Sequence, residues 1–83
     1  MHGRVRDLAR MRRMQQTGEA RRLREQAGVS LRTMARAVGV RPSTLIRWEA
    51  GRMQPREPTA LAWLAALDVI RSELEQDGPS ERR

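Results

Sequence analysis

The sequence predicts an all-α domain of four to five helices. The stretch from Ser30 to Glu49 has the spacing of two short helices joined by a tight turn, and apolar residues after Thr59 recur at alternating steps of three and four. The chain of 83 residues makes one small domain with a core of marginal size, and five helices would use up its length. The absence of cysteine excludes a disulfide framework or a thiolate metal site.

Residues 1–16 form a basic N-terminal segment. Their apolar residues follow a loosely helical spacing amid five arginines, and either a helix or an extended arm fits this pattern. The arginines are Arg4, Arg6, Arg10, Arg12 and Arg13. We expect the folded domain to occupy residues 17–76.

The first helix of that domain is expected between Gly18 and Gln26. Ala20, Leu23 and Ala27 lie on one side of this short amphipathic segment, and Gly28 closes it. These apolar positions are expected to face the core.

The next two helices are marked by the residues at their ends. Ser30 can cap the first of them through its hydroxyl, and Gly39 falls where the chain must bend through a conformation that glycine adopts without steric penalty. Pro42 suits the first turn of the second helix, where its missing N–H would have had no partner. Residues expected to point inward are Met34, Val38, Leu45 and Trp48, and those expected to share the outer face of the second helix are Ser43, Ile46, Arg47 and Ala50.

The last helical segment follows a loop that contains two prolines. Gly51 ends the preceding helix, and the next helix is expected to begin near Thr59 as its cap, with Pro58 stopping any upstream continuation. Its apolar spacing fits one long helix to Gln76 or two short helices divided near Asp68. Residues 77–83 have nothing to bury and are expected to form a flexible tail.

Charge is distributed unevenly along the chain. Residues 1–56 contain 14 arginines and 4 acidic residues, a net charge of +10, whereas residues 57–83 contain 3 arginines and 6 acidic residues, a net charge of −3. A basic surface of this kind suits a polyanion, because binding to phosphates releases condensed counterions. The alternative is a solvated surface that serves only solubility.

Other classes of function find little support. The only histidine is His2, and no set of nucleophile, base and acid or pair of carboxylates can be placed on one rigid face, so we expect no enzyme. No metal-ligand spacing occurs, and we expect no cofactor, metal or small-molecule ligand. No apolar run approaches the ~20 residues of a membrane span, and we expect a cytoplasmic protein.

Residues 18–69 resemble the lambdoid phage repressor and Cro type of helix-turn-helix protein, the XRE-like family. The resemblance is carried by GEARRLREQAGVS, LRTMARAVGV, RPSTLIRWEAGRMQP and LAWLAALDV. The stretch WEAGRMQP is the most telling, since family members often end the recognition helix with an aromatic residue or leucine, a glutamate, a glycine and a basic residue before a proline-containing loop. The resemblance implies a lambda-repressor-like domain that binds double-stranded DNA.

The resemblance also implies roles for individual residues. Arg24 would form a largely buried ion pair with Glu49, although the residues alone equally allow both to face water. Base contacts would come from Arg41, Ser43, Ile46 and Arg47. A guanidinium can donate two hydrogen bonds to guanine, so Arg47 is the principal candidate. Its alternative is a phosphate contact or a solvated side chain, and Ile46 could instead pack against a loop.

The sequence departs from the family pattern at two positions. Arg41 stands where a Ser or Thr more usually caps the recognition helix, and arginine cannot accept the N–H bonds that such a cap accepts. Leu31 stands where a glutamine often holds a phosphate. Residues expected to contact phosphates in its place are Arg32, Arg36, Arg52 and Arg56.

The family commonly reads pseudo-palindromic operators as dimers, because two recognition helices must reach major grooves about 34 Å apart. The candidate dimer seam is Trp63, Leu67, Ile70 and Leu74, with the alternative that Trp63 and Leu67 fill the monomer core.

The five N-terminal arginines could enter a minor groove or lie along phosphates.

Two hypotheses of function follow. The first is a small dimeric repressor that recognises its operator sequence. The second is a protein-interaction module, such as an antitoxin or an adaptor, that docks a protein partner through its C-terminal helix.

Overall fold

A computed structural model of the chain describes residues 2–76, which include five α-helices and no strand. The helices are α1 (His2–Thr17), α2 (Glu19–Gln26), α3 (Leu31–Val38), α4 (Pro42–Glu49) and α5 (Glu57–Gln76). The predicted all-α class is confirmed. The tail expected at residues 77–83 lies outside the described residues.

Helix α1 shows that the basic N-terminal segment is helical in the structure and packs on the rest of the chain. It lies against α2 and α5, and it buries Met11 and Met14. Arg4 and Arg10 form ion pairs with Glu57 and Asp68 of α5. These pairs are partly exposed, and exposed pairs typically contribute less than about 1 kcal/mol, so the buried methionines supply most of the attachment.

The predicted ends of α3 and α4 agree with the structure. The Ser30 hydroxyl accepts a hydrogen bond of 3.0 Å from the Thr33 N–H, and Gly39 ends α3 in the left-handed region with φ of 90°. A side chain at this φ would be strained, which explains the glycine in the turn. Pro42 occupies the start of α4.

The core is centred on two tryptophans, one from α4 and one from α5. The ring centroids of Trp48 and Trp63 are 5.1 Å apart and the ring planes are inclined by 39°, a tilted arrangement that aromatic pairs favour. Every residue expected to point inward from α3 and α4 is buried, namely Met34, Val38, Leu45 and Trp48. Helix α4 is therefore fixed to the long last helix, α5, through aromatic packing.

Helix α5 is one continuous helix of 20 residues rather than two short ones. It begins at Glu57, earlier than expected, so that Pro58 lies in the first turn instead of ahead of the helix. Proline is tolerated there because N–H groups of the first turn have no partner within the helix. The predicted cap at Thr59 is wrong, since its hydroxyl donates to the carbonyl of Arg56 from within that turn.

Three of the four residues of the predicted dimer seam are buried within the single chain. Trp63, Leu67 and Ile70 are 0%, 1% and 9% exposed. The apolar residues of α5 that recur at steps of three and four thus face the other helices of the same chain. Leu74 is partly buried against the same core. The alternative for Trp63 and Leu67 agrees with the structure. The large apolar residue that α5 exposes is instead Val69, at 63%.

Among the described helices, none combines the length and the apolar character required to cross a membrane.

Replacement of Leu67 tests whether the α5 stripe belongs to the core of one chain. We expect Leu67→Ala to lower the free energy of unfolding by about 2–5 kcal/mol, because it leaves a cavity. Val5→Ala, at a residue that is 69% exposed, is the control and should change it by less than about 0.5 kcal/mol. Urea denaturation at several protein concentrations measures the free energy of unfolding of both variants. A loss for Leu67→Ala that shrinks on dilution would instead place this residue between subunits.

Candidate nucleic-acid interface

Helix α4 presents one polar face to solvent while its other face is anchored in the core. Leu45 and Trp48 are buried, whereas Ser43, Ile46 and Arg47 are exposed. This division follows from the helical period, since positions three and four apart share a face. The candidate base-contacting residues of α4 therefore lie together on its accessible side.

Arg41 occupies the position before the first residue of α4. Its side chain makes no capping hydrogen bond, while its carbonyl accepts from the N–H groups of Thr44 and Leu45. The helix thus lacks the side-chain cap that Ser30 gives to α3. Instead, the exposed guanidinium of Arg41 lies at the N-terminal end of the accessible face.

An ion pair beneath this face joins α2 to the end of α4. Arg24 donates to both carboxylate oxygens of Glu49, from Nε at 2.6 Å and from Nη2 at 3.0 Å. Its Nη1 donates to the carbonyl of Val29 at 3.0 Å. The side chains of Arg24 and Glu49 are 11% and 6% exposed. The pair implied by the family resemblance is therefore present and largely buried.

The electrostatics of the pair keep Arg24 charged. The hydrogen bonds that Arg24 donates to Glu49 raise the pKa of Arg24 above its ordinary value, and burial lowers it by less. Arg24 therefore stays charged throughout the physiological pH range. Its two-pronged geometry, together with the bond to Val29, also fixes the α2–α3 connection relative to α4.

A second buried polar contact reaches the same end of α4 from α1. Gln15 is 4% exposed, and its Nε2 donates 2.8 Å hydrogen bonds to the carbonyls of Trp48 and Met53. The sequence did not reveal this contact. Its only signal is that Gln15 follows Leu8 and Met11 at helical spacing, and many exposed glutamines show the same pattern.

The segment from Gly28 to Arg56 carries positive charge with almost no acidic counterpart. It contains six arginines, and its one acidic residue is Glu49, which is paired with Arg24. All six are exposed, and none pairs with a carboxylate of residues 2–76. They are Arg32 and Arg36 on α3, Arg41 and Arg47 at the two ends of α4, and Arg52 and Arg56 in the loop after α4.

The five N-terminal arginines divide into two groups. Arg4 and Arg10 form ion pairs with Glu57 and Asp68 of α5. The other three, Arg6, Arg12 and Arg13, are exposed and have no carboxylate partner within the described part of the chain.

Residues 2–76 offer no centre for metal chemistry, since no three or more His, Asp or Glu side chains are grouped there. The accessible face of α4 and the surrounding arginines are instead suited to base edges and phosphates.

Together, α3, the turn at Gly39 and α4 define a helix-turn-helix protein. A family model described as helix-turn-helix matches residues 21–74. The chain belongs to this family, of the XRE or lambda repressor-like type, and it is a DNA-binding helix-turn-helix regulator. Domains of the family bind double-stranded DNA and are generally not enzymes. A search of curated proteins and a search of solved structures gave no significant match.

Removal of one partner tests the contribution of the buried ion pair. We expect Arg24→Met to lower the free energy of unfolding by about 3–5 kcal/mol, because Glu49 is left buried and without its partner. Arg21→Met is the control, since Arg21 pairs with Glu25 on the exposed surface of the same helix, where a pair is worth about 0.3–0.5 kcal/mol. Calorimetric unfolding distinguishes the two. Equal, small losses would show that the pair does not support α4.

Proposed function

We propose that the protein is a dimeric transcriptional repressor that reads a pseudo-palindromic operator in the major groove. The observation that carries this proposal is the accessible face of α4, which the Arg24–Glu49 pair fixes in place and which has six exposed arginines on it or near it. Such a regulator acts in the cytoplasm, where its DNA is, and requires no cofactor.

In this proposal the exposed residues of α4 read bases. Arg47 donates two hydrogen bonds to guanine, a pairing worth about 1–3 kcal/mol of discrimination. Ser43 donates to or accepts from a base edge, and Ile46 contacts a thymine methyl. Arg41, at the start of the helix, completes the set.

The other arginines contact phosphates and set the register of α4 in the groove. Arg32 and Arg36 lie on the exposed side of α3, while Arg52 and Arg56 lie in the loop after α4. Leu31 packs partly against the core and cannot replace the glutamine of the family pattern. The exposed arginines therefore take over the phosphate contact that Leu31 lacks.

Trp63 and Leu67 are buried in the core, so we place the dimer surface beside the predicted seam, with Ile70 common to both. An apolar groove of about 520 Å³ lies between α3 and α5 and is lined by Val29, Thr33, Met34, Ala37, Ala62, Ala65, Ala66, Val69 and Ile70. None of these residues is charged, and the alanines allow a second helix to approach closely. Val69 projects at the same surface, so each chain supplies both a projecting valine and a groove, as a two-fold interface requires.

The charge distribution also favours a second copy of the chain as occupant of this groove. Helix α5 contains four acidic residues and one arginine, whereas the six exposed arginines lie between residues 28 and 56. No arginine lines the α3–α5 groove, so pairing through it buries no guanidinium needed for DNA.

Selection of DNA sites by two variants tests the roles of the arginines. We expect Arg47→Ala to relax the preference at one base pair in each half-site, whereas Arg52→Ala should weaken all sequences about equally and reduce the salt slope by about 1. Equal losses on every sequence for both variants would reject base reading by Arg47. Absence of any sequence preference in the wild type, with one stoichiometric partner recovered from the host, would favour the protein-interaction module.

Sedimentation equilibrium tests the dimer surface. Val69→Glu should convert the dimer to a monomer, because a carboxylate would be buried in an apolar groove. Val5→Glu is the matched control, since Val5 is similarly exposed but lies on α1, and this variant should remain a dimer. An unchanged mass for Val69→Glu would exclude the groove as the interface.

A further inference from the structure

The loop between α4 and α5 carries two candidate phosphate contacts. Its end at Arg56 is anchored by hydrogen bonds from Thr59 and Ala60 to the Arg56 carbonyl, but its middle has little support of its own. Gly51, Arg52, Met53 and Gln54 are all exposed. The N–H of Arg52 still bonds back to the carbonyl of Arg47 at 2.9 Å, which extends the end of α4. Across residues 53–55, the hydrogen bond that the structure shows is the one from Gln15 to the carbonyl of Met53.

Gln15 connects this loop to the end of the recognition helix. Its amide group has two N–H donors, and Nε2 lies 2.8 Å from both the Trp48 carbonyl in α4 and the Met53 carbonyl in the loop. The side chain is almost wholly buried, so water does not compete for these bonds. A single side chain of α1 thus fixes the last turn of α4 relative to the middle of the loop.

We propose that Gln15 is a positioning residue for DNA binding, which holds Arg52 and Arg56 where they meet phosphates. This inference rests on the proposed function. A loop that is already ordered loses less conformational freedom on binding, and its arginines contribute more of their contact energy to affinity. Helix α1, which precedes the matched residues 21–74, then belongs to the DNA-binding machinery without touching a base.

The first experiment measures DNA affinity against salt concentration for Gln15→Met, which keeps the length of the side chain but removes both donors. We expect weaker binding with unchanged sequence preference. The slope of log K against log salt should fall by about 1–2, since each lost phosphate contact removes about 0.9. Gln16→Met, at the exposed neighbouring position, is the control and should match the wild type.

A double-mutant cycle separates positioning from a merely structural role. In a chain that carries Arg52→Ala and Arg56→Ala, Gln15→Met should cause no further loss of salt slope, because the arginines it positions are gone. A loss as large as in the wild-type background would overturn the proposal. All affinities are compared under conditions in which circular dichroism shows each variant to be folded. Gln15→Leu, which also lacks a donor, should behave in the same way and serves if the methionine variant does not fold.

Hydrogen exchange of the free protein gives an independent readout. The amides of Gly51 and Arg52, which donate to the carbonyls of Trp48 and Arg47, should exchange faster in Gln15→Met than in Gln16→Met, while those of α3 should not change. Unchanged exchange in this loop, or an unchanged salt slope with DNA binding intact, would overturn the role of Gln15 alone. Failure of the wild type to bind any DNA would overturn the proposed function and this inference together.

Discussion

The buried ion pair between Arg24 and Glu49 is the constraint on which the rest of the structure depends. It connects α2, the α2–α3 turn and the end of α4 through three hydrogen bonds. Apolar packing of Leu45 and Trp48 holds α4 to the core, but such packing is tolerant of small rotations. The bidentate ion pair fixes the rotation of α4 about its own axis, and it thereby determines which side chains of α4 face outward.

The same pair shapes the charge of the surface. Glu49 is the one acidic residue between Gly28 and Arg56, and its carboxylate is directed inward toward Arg24. No carboxylate of this segment therefore offsets the six exposed arginines around it. One buried contact thus orders the recognition helix and leaves the outer potential positive, as recognition of a polyanion requires.

The elements that could be predicted from the sequence are those determined by local chemistry. Ser30, Gly39 and Pro42 mark helix ends because capping, positive φ and a missing N–H act within a few residues. The stripe that contains Leu67 was also recognised, but its spacing shows only that a face is apolar and not whether that face meets its own chain or a second one. The family resemblance supplied the Arg24–Glu49 pair, which spacing alone left undecided.

Gln15 could not be found in this way, since an amide among helical apolar positions has no distinctive chemical signature until its acceptors are known. Its acceptors are main-chain carbonyls more than thirty residues away, and any residue type could supply them. Contacts of this kind are specified by the tertiary fold rather than by sequence periodicity.

Helix α1 contributes to the hydrophobic core although it lies outside the residues that match the family model. Met11 and Met14 are part of the single hydrophobic core, although they precede the matched residues 21–74. A fragment trimmed to the family boundary would lose a wall of its interior and expose Ala60 and its neighbours to water. The stretch that matches the family model is therefore smaller than the packed unit, and grafting residues 21–74 alone into another scaffold would transfer an incomplete core.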